Sequence, residues 1–287
     1  MDIIFSRSSL NMLPKYIVLH HDCFPTFADP SHHYLTWLYE NNPVGMAVGV
    51  DALHGEDVVG QVMAIPGEYN LRGHVVKGLL AVHVAVHPKF QGRFLFKKLG
   101  LKMCEFGADD GYTFVTGVAN AAATPGWIRQ MGFQLVEPLR AMIGFGSLGI
   151  KSYDKVYSSS ELSHSWTPAT MDWRSQNPKN NVKLKADLAG GVIKAFASSS
   201  MRGISAYAEI PCYDQAIHSR RETKNFPILP RVFLGLVPGH KFGVNYFNIP
   251  TRLKPSPLNL IYKNLITSSD RIDSGTSFIN FLDFDAF

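Results

Sequence analysis

Val82-His-Val-Ala-Val-His-Pro-Lys-Phe-Gln-Gly-Arg-Phe-Leu-Phe-Lys-Lys-Leu99 is the stretch from which the chain is best read. An apolar run over 79–86 predicts a buried strand, which ends at His87-Pro88 because proline cannot donate to a ladder. Residues 89–93 form a short loop. Beyond it, Leu95, Leu99, Met103 and Phe106 recur at helical spacing and predict an amphipathic helix. The first amides of a helix have no internal partner, and the helix dipole adds positive potential at that end. Arg93, Lys97 and Lys98 bring further charge. A strand, a loop and a basic helix start therefore suit a ligand that carries phosphate.

Working outward, residues 31–41 place Tyr34, Trp37 and Leu38 at helical spacing, and Asn42-Pro43 ends that helix. Strand-like runs follow at 44–52, 57–65 and 77–86, with turns at Gly55, Pro66-Gly67 and Arg72-Gly73. After the basic helix come a turn at Asp109-Asp110-Gly111, a strand over 112–118, a short helix over 124–131 and a strand over 133–145. Three strands that then give way to β-α-β predict an α/β (α+β) fold. Its sheet is mixed, mostly antiparallel and twisted, with helices on its flanks.

The chain has 287 residues, enough for two domains. Residues 146–168 are rich in Ser, Gly and Tyr, and the boundary is placed there, giving domains 1–150 and 151–287. The second half opens on an echo of the first: Trp37-Leu-Tyr-Glu-Asn-Asn-Pro43 against Trp173-Arg-Ser-Gln-Asn-Pro178. Strand-like runs follow each proline, which suggests two copies of one domain. Further strands are expected at 203–210, 231–237 and 242–248, and a helix at 257–265.

Composition narrows the class. The sequence is 46% apolar and 18% charged, as in globular proteins. Its apolar runs fall far short of the ~18 residues of a membrane span. Met-Asp-Ile-Ile at the start lacks the basic-then-apolar pattern of a secretory leader. Cys23, Cys104 and Cys212 are odd in number and widely spaced, so they read as reduced thiols of a cytoplasmic protein. A net charge of +5 is too small and scattered to imply nucleic acid, but fits an anionic ligand.

Residues 86–99 resemble the cofactor loop of the GNAT superfamily of N-acetyltransferases. That loop has the form Val-x-Pro-x-Tyr-(Arg/Gln)-Gly-x-Gly-x-(Gly/Ala), followed by a leucine. Here it reads Val86-His87-Pro88-Lys89-Phe90-Gln91-Gly92-Arg93-Phe94-Leu95-Phe96, then Leu99. Asn120 after a strand, and Gly132-Phe133 before the next one, match a second feature. The resemblance covers about residues 30–145, and it suggests a tandem form whose second half is degenerate. It implies acetyl-CoA, or another acyl-CoA, as cosubstrate. The strand over 77–86 would part from that over 112–118, so that backbone at Val84, Ala85 and Val86 pairs with the pantetheine arm. Gln91, Gly92, Arg93, Phe94, Leu95 and Phe96 would hold the pyrophosphate, and Asn120 would approach from the other side. Phe94 stands where the family has glycine, and Phe96 where it has a small residue.

The family's acid–base positions correspond to Leu80, Val82 and Ile128, and none of these can move a proton. Candidates nearby are His83, His74 and Thr124, with Glu68, Tyr112 and Thr116 as further polar groups. A histidine that titrates near neutrality suits the removal of an ammonium proton. Deprotonation by solvent, with the protein supplying only proximity and carbonyl polarisation, is the other way to run the reaction. His20-His21 and His32-His33 are pairs without an accompanying cysteine set, and no metal is expected.

The implied function is acyl-CoA-dependent N-acyl transfer, acetyl first, to the amine of a small molecule such as an amino sugar or amino acid. One alternative uses a longer acyl-CoA, or an acyl carrier protein docking on Lys89, Arg93, Lys97, Lys98 and Lys102. The other is a non-catalytic CoA-binding protein. The second half would close the acceptor cleft, with Arg252, Lys254, His240 and Tyr246 as possible contacts. The sequence does not define an oligomeric state.

Overall fold

The computed structural model describes residues 2–187, 191–199, 201–211, 230–250 and 256–284. Its first elements are β1 (Ile4–Arg7), α1 (Leu13–Cys23), α2 (His32–Tyr39), β2 (Val48–His54), β3 (Asp57–Leu71), β4 (His74–Val86), α3 (Leu95–Asp109), β5 (Phe114–Asn120) and β6 (Gln134–Pro138). There follow β7 (Arg140–Gly144), α4 (Tyr153–Ser158), β8 (Leu162–His164), α5 (Pro168–Ser175), β9 (Lys183–Asp187), β10 (Val192–Ser198) and β11 (Ser205–Pro211). The last are β12 (Arg231–Leu236), β13 (Tyr246–Asn248), β14 (Leu258–Asn264) and β15 (Ser277–Asn280). The mixed, mostly antiparallel α/β architecture expected from the sequence is present.

The chain folds as two compact units. One comprises Met1–Glu68, Val76–Val136 and Asn259–Arg271; the other comprises Tyr69–Val75, Glu137–Leu258 and Ile272–Phe287. In the first, neighbouring strands run β6-β14-β5-β4-β3, with β2 on β3 and β1 on β2. Strands β1–β2 and β2–β3 are antiparallel, while β4–β5 is parallel. The tip between β3 and β4 is Arg72-Gly73, both at positive φ (50° and 84°), the backbone of a tight hairpin turn.

Helix α3 forms as its stripe predicts: Leu95, Leu99 and Met103 are buried. Leu99 and Met103 pack with Val50, Val62, Leu79, Val115, Trp127 and Ile261 in the core. Truncating such a leucine to alanine typically costs about 2–5 kcal/mol. Helix α2 starts where Ser31 Oγ accepts the Tyr34 N–H at 3.1 Å, and it stops before Asn42-Pro43.

Several sequence readings are corrected. Residues 257–265 are not a helix: β14 runs there as a strand between β5 and β6, and Thr116 Oγ1 donates to the Ile261 carbonyl at 2.9 Å. A short apolar run buried on both faces does not alternate, so its period does not separate strand from helix. Pro66-Gly67 is no turn but part of β3. Pro66 is tolerated because pairing with β2 ends at Val48↔Ala64, so its missing N–H interrupts no bond to that strand. The run over 133–145 is two strands, β6 and β7, whereas the helix expected over 124–131 is present, with a π-helical stretch at Gly126–Gln130. The N-terminal β1 and α1 carried no prediction; Asp51, buried in β2, holds them by accepting from Ser8 Oγ (2.5 Å) and Tyr16 Oη (2.7 Å).

In the second unit β9–β10 and β10–β11 are antiparallel, and β11–β12 is parallel over Ser205↔Arg231 and Ala206↔Val232. β12 also pairs with β7 and β15, and β15 with β8. The buried Glu209 takes hydrogen bonds from the Tyr153 and Tyr207 hydroxyls and from the Leu148 amide at 3.2 Å. The Trp…Asn-Pro echo has a structural counterpart. Trp37 lies in α2 and Trp173 in α5, and each helix is followed by a buried asparagine before proline. Asn42 accepts the Val44 N–H at 3.0 Å, and Asn177 accepts the Lys179 N–H at 2.9 Å. The same side-chain turn thus leads into β2 and into β9.

Candidate active site

The register between β4 and β5 runs from Leu79↔Val115 to Ala81↔Gly117. Both strands continue beyond it, β4 to Val86 and β5 to Asn120. Two residues past the last pair, His83 adopts φ +38°, a left-handed conformation rare for a side-chain-bearing residue. Such an outlier breaks the alternation of the strand and marks a place where strain is kept. Of the residues assigned to the pantetheine arm, Ala85 is buried, and Val84 and Val86 are half-buried.

His83 enters a set of rings supplied by the two N-terminal helices. Tyr39 Oη lies 2.5 Å from His83 Nδ1. His20 of α1 meets the His83 ring edge-on at 4.9 Å, and Tyr34 of α2 lies at 5.8 Å. Burial pushes His20 down to about 4, against the opposing pull of Asp29, so its ring is neutral at pH 7. In one tautomer of His83, Nδ1–H donates to Tyr39 and Nε2 is the basic atom. In the other, Tyr39 donates and Nε2 carries the proton. A hydrogen bond with the Val86 backbone reaches Cys23 at the end of α1; burial and the Asp22 charge nevertheless push that thiol up to about 11.

Past β4, the chain turns through a short loop into the start of α3. His87 Nδ1 accepts the Lys89 N–H at 3.2 Å and starts a 3-10 turn, Pro88–Phe90. Gln91 Nε2 donates back to the Val86 carbonyl at 3.2 Å. Gly92 has φ +75° and Phe94 φ +58°, so the residue in the family's glycine position does take the glycine-like conformation. Phe94 precedes α3 without capping it by a side chain, and the first turn of α3 has no acid. The Phe94 ring is 68% exposed. Arg93 lies over the Phe90 ring at 5.3 Å. Uncapped amides, no carboxylate and basic neighbours are the features an anion needs. Phe96 fits because Gly126 has no side chain: a Cβ there would stand 2.4 Å from its ring. Trp127 meets Phe96 edge-on at 5.2 Å.

At the end of β5, Asn120 Oδ1 accepts the Ala123 N–H (2.9 Å), and Thr124 Oγ1 donates to the Asn120 carbonyl (2.7 Å). Asn259 of β14 donates to Thr124 Oγ1 at 2.9 Å. Thr124 is therefore held as both donor and acceptor. A cavity of about 440 Å³ lies beside the loop, lined among others by Lys15, Asp22, His54, His87, Lys89 and Phe90.

Not all candidates gather here. His74 opens β4 at the hairpin tip, exposed and among residues of the second unit. Leu80 is buried and Ile128 half-buried. Thr116 is committed to Ile261. Burial raises the Tyr112 hydroxyl. In the second unit His240 Nε2 contacts the Leu148 carbonyl at 3.0 Å, and Tyr246 Oη donates to the Gly146 carbonyl at 3.0 Å. Arg252, Lys254 and Cys212 lie outside the described residues. Among the described residues no three His, Cys, Asp or Glu side chains converge on a metal position, and no helix is long and apolar enough to cross a membrane. Sequence reasoning did not connect Tyr39, Tyr34, His20, Cys23 or Asn259 with this site. Tyr39 ends a legible helix, but no local signal ties residue 39 to residue 83.

Residues 7–136 match the acetyltransferase (GNAT) domain family, and this part of the chain is a GNAT acetyltransferase domain. The wider fold is similar to three solved structures, each covered to 92% of this chain. They are a conserved Enterococcus faecalis V583 protein described as a probable N-acyltransferase (TM-score 0.63, 11% identity, 73% of that chain), a GCN5-related N-acetyltransferase from Anabaena variabilis (0.61, 11%, 73%) and one from Kribbella flavida (0.58, 12%, 72%). At such identity the likeness is one of fold. No curated protein matches this sequence.

Proposed function

We propose that this chain transfers an acyl group, acetyl first, from acyl-CoA to the amine of a small molecule such as an amino sugar or amino acid, with His83 as general base. One observation carries the reading: β4 leaves β5 just before His83 and ends at the uncapped, basic start of α3. Amides at 91–96 hold the pyrophosphate, and backbone of β4 beyond its last pair with β5, at Val84, pairs with the pantetheine arm. The amine attacks the thioester carbonyl directly in a ternary complex. A C–N bond forms, the C–S bond breaks, and the ammonium proton passes to His83, directly or through water, while CoA departs as thiolate. With its proton on Nδ1, His83 is held by Tyr39 and presents Nε2 as the base. Thr124, fixed between Asn120 and Asn259, lines the far side of the parting.

We further propose that the second unit is a degenerate copy of the first. Antiparallel β9-β10-β11 followed by parallel β12 repeats the order of β2-β3-β4 and β5, and the two Asn-Pro turns support the same view.

A thermal-shift titration with acetyl-CoA, free CoA and longer acyl-CoAs tests the donor. A ligand at 100 times its dissociation constant adds ~2.7 kcal/mol, a rise of several degrees in a chain of this size. Absence of a shift with every acyl-CoA would overturn the reading. A positive shift is followed by an amine screen with single-turnover kinetics, in which direct transfer requires that no acyl-enzyme builds up.

A further inference from the structure

We propose that the second unit carries its own site for a small molecule with a protonated amine on a flat apolar body, seated against the Asp283 carboxyl and the stacked rings of His164 and Trp166. The site is a cavity of about 430 Å³, lined by these three residues together with others including Asn70, Tyr157 and Phe278. Every one of them belongs to the second unit, so the proposal stands apart from acyl transfer. Cavities of roughly 300–1,000 Å³ are the size that holds small ligands.

The walls define the chemistry. His164 and Trp166 stack at 4.0 Å between ring centroids and 23° between planes, which makes a flat aromatic wall. Asp283 is buried. Its Oδ2 accepts the Asn280 N–H at 2.7 Å, and the carboxyl also takes a hydrogen bond from the Trp166 side chain. Among the described residues, Asp283 Oδ1 and His164 Nδ1 have no hydrogen-bond partner. Buried polar atoms are nearly always satisfied, so two unmet ones on the residues of one cavity call for a partner from outside. A carboxyl acceptor beside an indole face matches an ammonium group, which takes a charge-assisted hydrogen bond and a cation–π contact together.

The charged and titratable groups around Asp283 are Arg174, His164, Tyr69 and Tyr157. Arg174 donates to the Phe284 carbonyl at 2.7 Å and pulls the carboxyl pKa down. His164 is held near 3 by burial, so it stays neutral, and both tyrosine hydroxyls are raised. Burial outweighs Arg174 and leaves Asp283 at about 7. An incoming cation favours the ionised carboxylate and expels its proton, so affinity rises with pH from 6 to 8.

The test uses the full chain without acyl-CoA, with benzylamine as probe and neutral benzyl alcohol as control. Benzylamine is expected to show intermolecular NOEs to the Trp166 indole and to bind at least tenfold more tightly than benzyl alcohol. Its affinity is expected to gain up to about tenfold between pH 6 and 8. Asp283→Asn should erase the difference between amine and alcohol while leaving the acetyl-CoA thermal shift unchanged. Should that variant fail to fold, the wild-type NOE and pH series decide alone. Equal binding of amine and alcohol, no contact with Trp166, or a cavity that takes water only would overturn the proposal.

Discussion

The Tyr39 hydroxyl lies 2.5 Å from His83 Nδ1, across 44 residues of chain. The pair joins the end of α2 to the kink in β4, and so ties a helix that the sequence shows plainly to a histidine whose role it does not. If His83 is the base, His83→Ala should lower kcat by about 10²–10⁴-fold, with the dissociation constant for acetyl-CoA changed little. Tyr39→Phe leaves the ring but removes the oxygen, so it should shift the acidic limb of the kcat profile more than it changes KM. Steady-state kinetics over pH, with calorimetric titration of acetyl-CoA, reads both. Unchanged kcat in His83→Ala would leave deprotonation to solvent.

Phe94 is held at φ +58° with its ring largely in water. A left-handed conformation costs a non-glycine residue about 1–2 kcal/mol, and glycine gives part of that back through unfolded-state entropy. Phe94→Gly should therefore raise Tm, by about 1–4 °C for a gain near 0.5–1 kcal/mol. Scanning calorimetry of the two proteins checks it, and a fall in Tm would show that the exposed ring contributes more than its conformation costs.

Gly126 and Phe96 share one space. A methyl group added at Gly126 meets the Phe96 ring at 2.4 Å, and overpacking of this kind costs typically ~1–3 kcal/mol. Gly126→Ala should destabilise, and the double variant with Phe96→Ala should lose less than the two single losses combined. A coupling of about 1 kcal/mol or more in a denaturant double-mutant cycle is the expected result; additivity would refute the shared space.

His20 is buried beside His83 and is held at about 4. An unfolded histidine binds its proton near 6.5. Between those values the unfolded chain carries more protons, so stability is full above pH 6.5 and falls as pH drops toward 4. Across that window the single histidine contributes about 3 kcal/mol. His20→Phe keeps a ring against Phe24 and His83 and should flatten this part of the stability curve. Urea melts at pH 7.5 and pH 4.5 measure the difference; an unchanged slope would remove His20 from the account.

The strand–loop–helix at 82–99 and the stripe of Leu95, Leu99 and Met103 could be read locally, because proline, glycine and helical period act within a few residues. The same holds for Arg72-Gly73 and for both Asn-Pro turns. Strand β14 was misread because its buried centre, Leu260-Ile261-Tyr262, lies between β5 and β6, a position that no feature of the strand's seven residues announces. Phe94 and Phe96 stand where the family has glycine and a small residue. One turned out to accept the strained conformation, and the other to be matched by Gly126, thirty residues away.

By itself, the sequence determined the order of strands and helices from α2 to β5, the uncapped basic helix start and the lack of an acid–base residue at Leu80, Val82 and Ile128. These are properties of neighbouring residues, where backbone sterics and periodicity operate. Only the tertiary structure decided that α1 and α2 deliver His20, Tyr34 and Tyr39 to His83, and that Asn259 reaches Thr124. Packing of the apolar faces sets which distant side chains meet, and that choice is a property of the whole core.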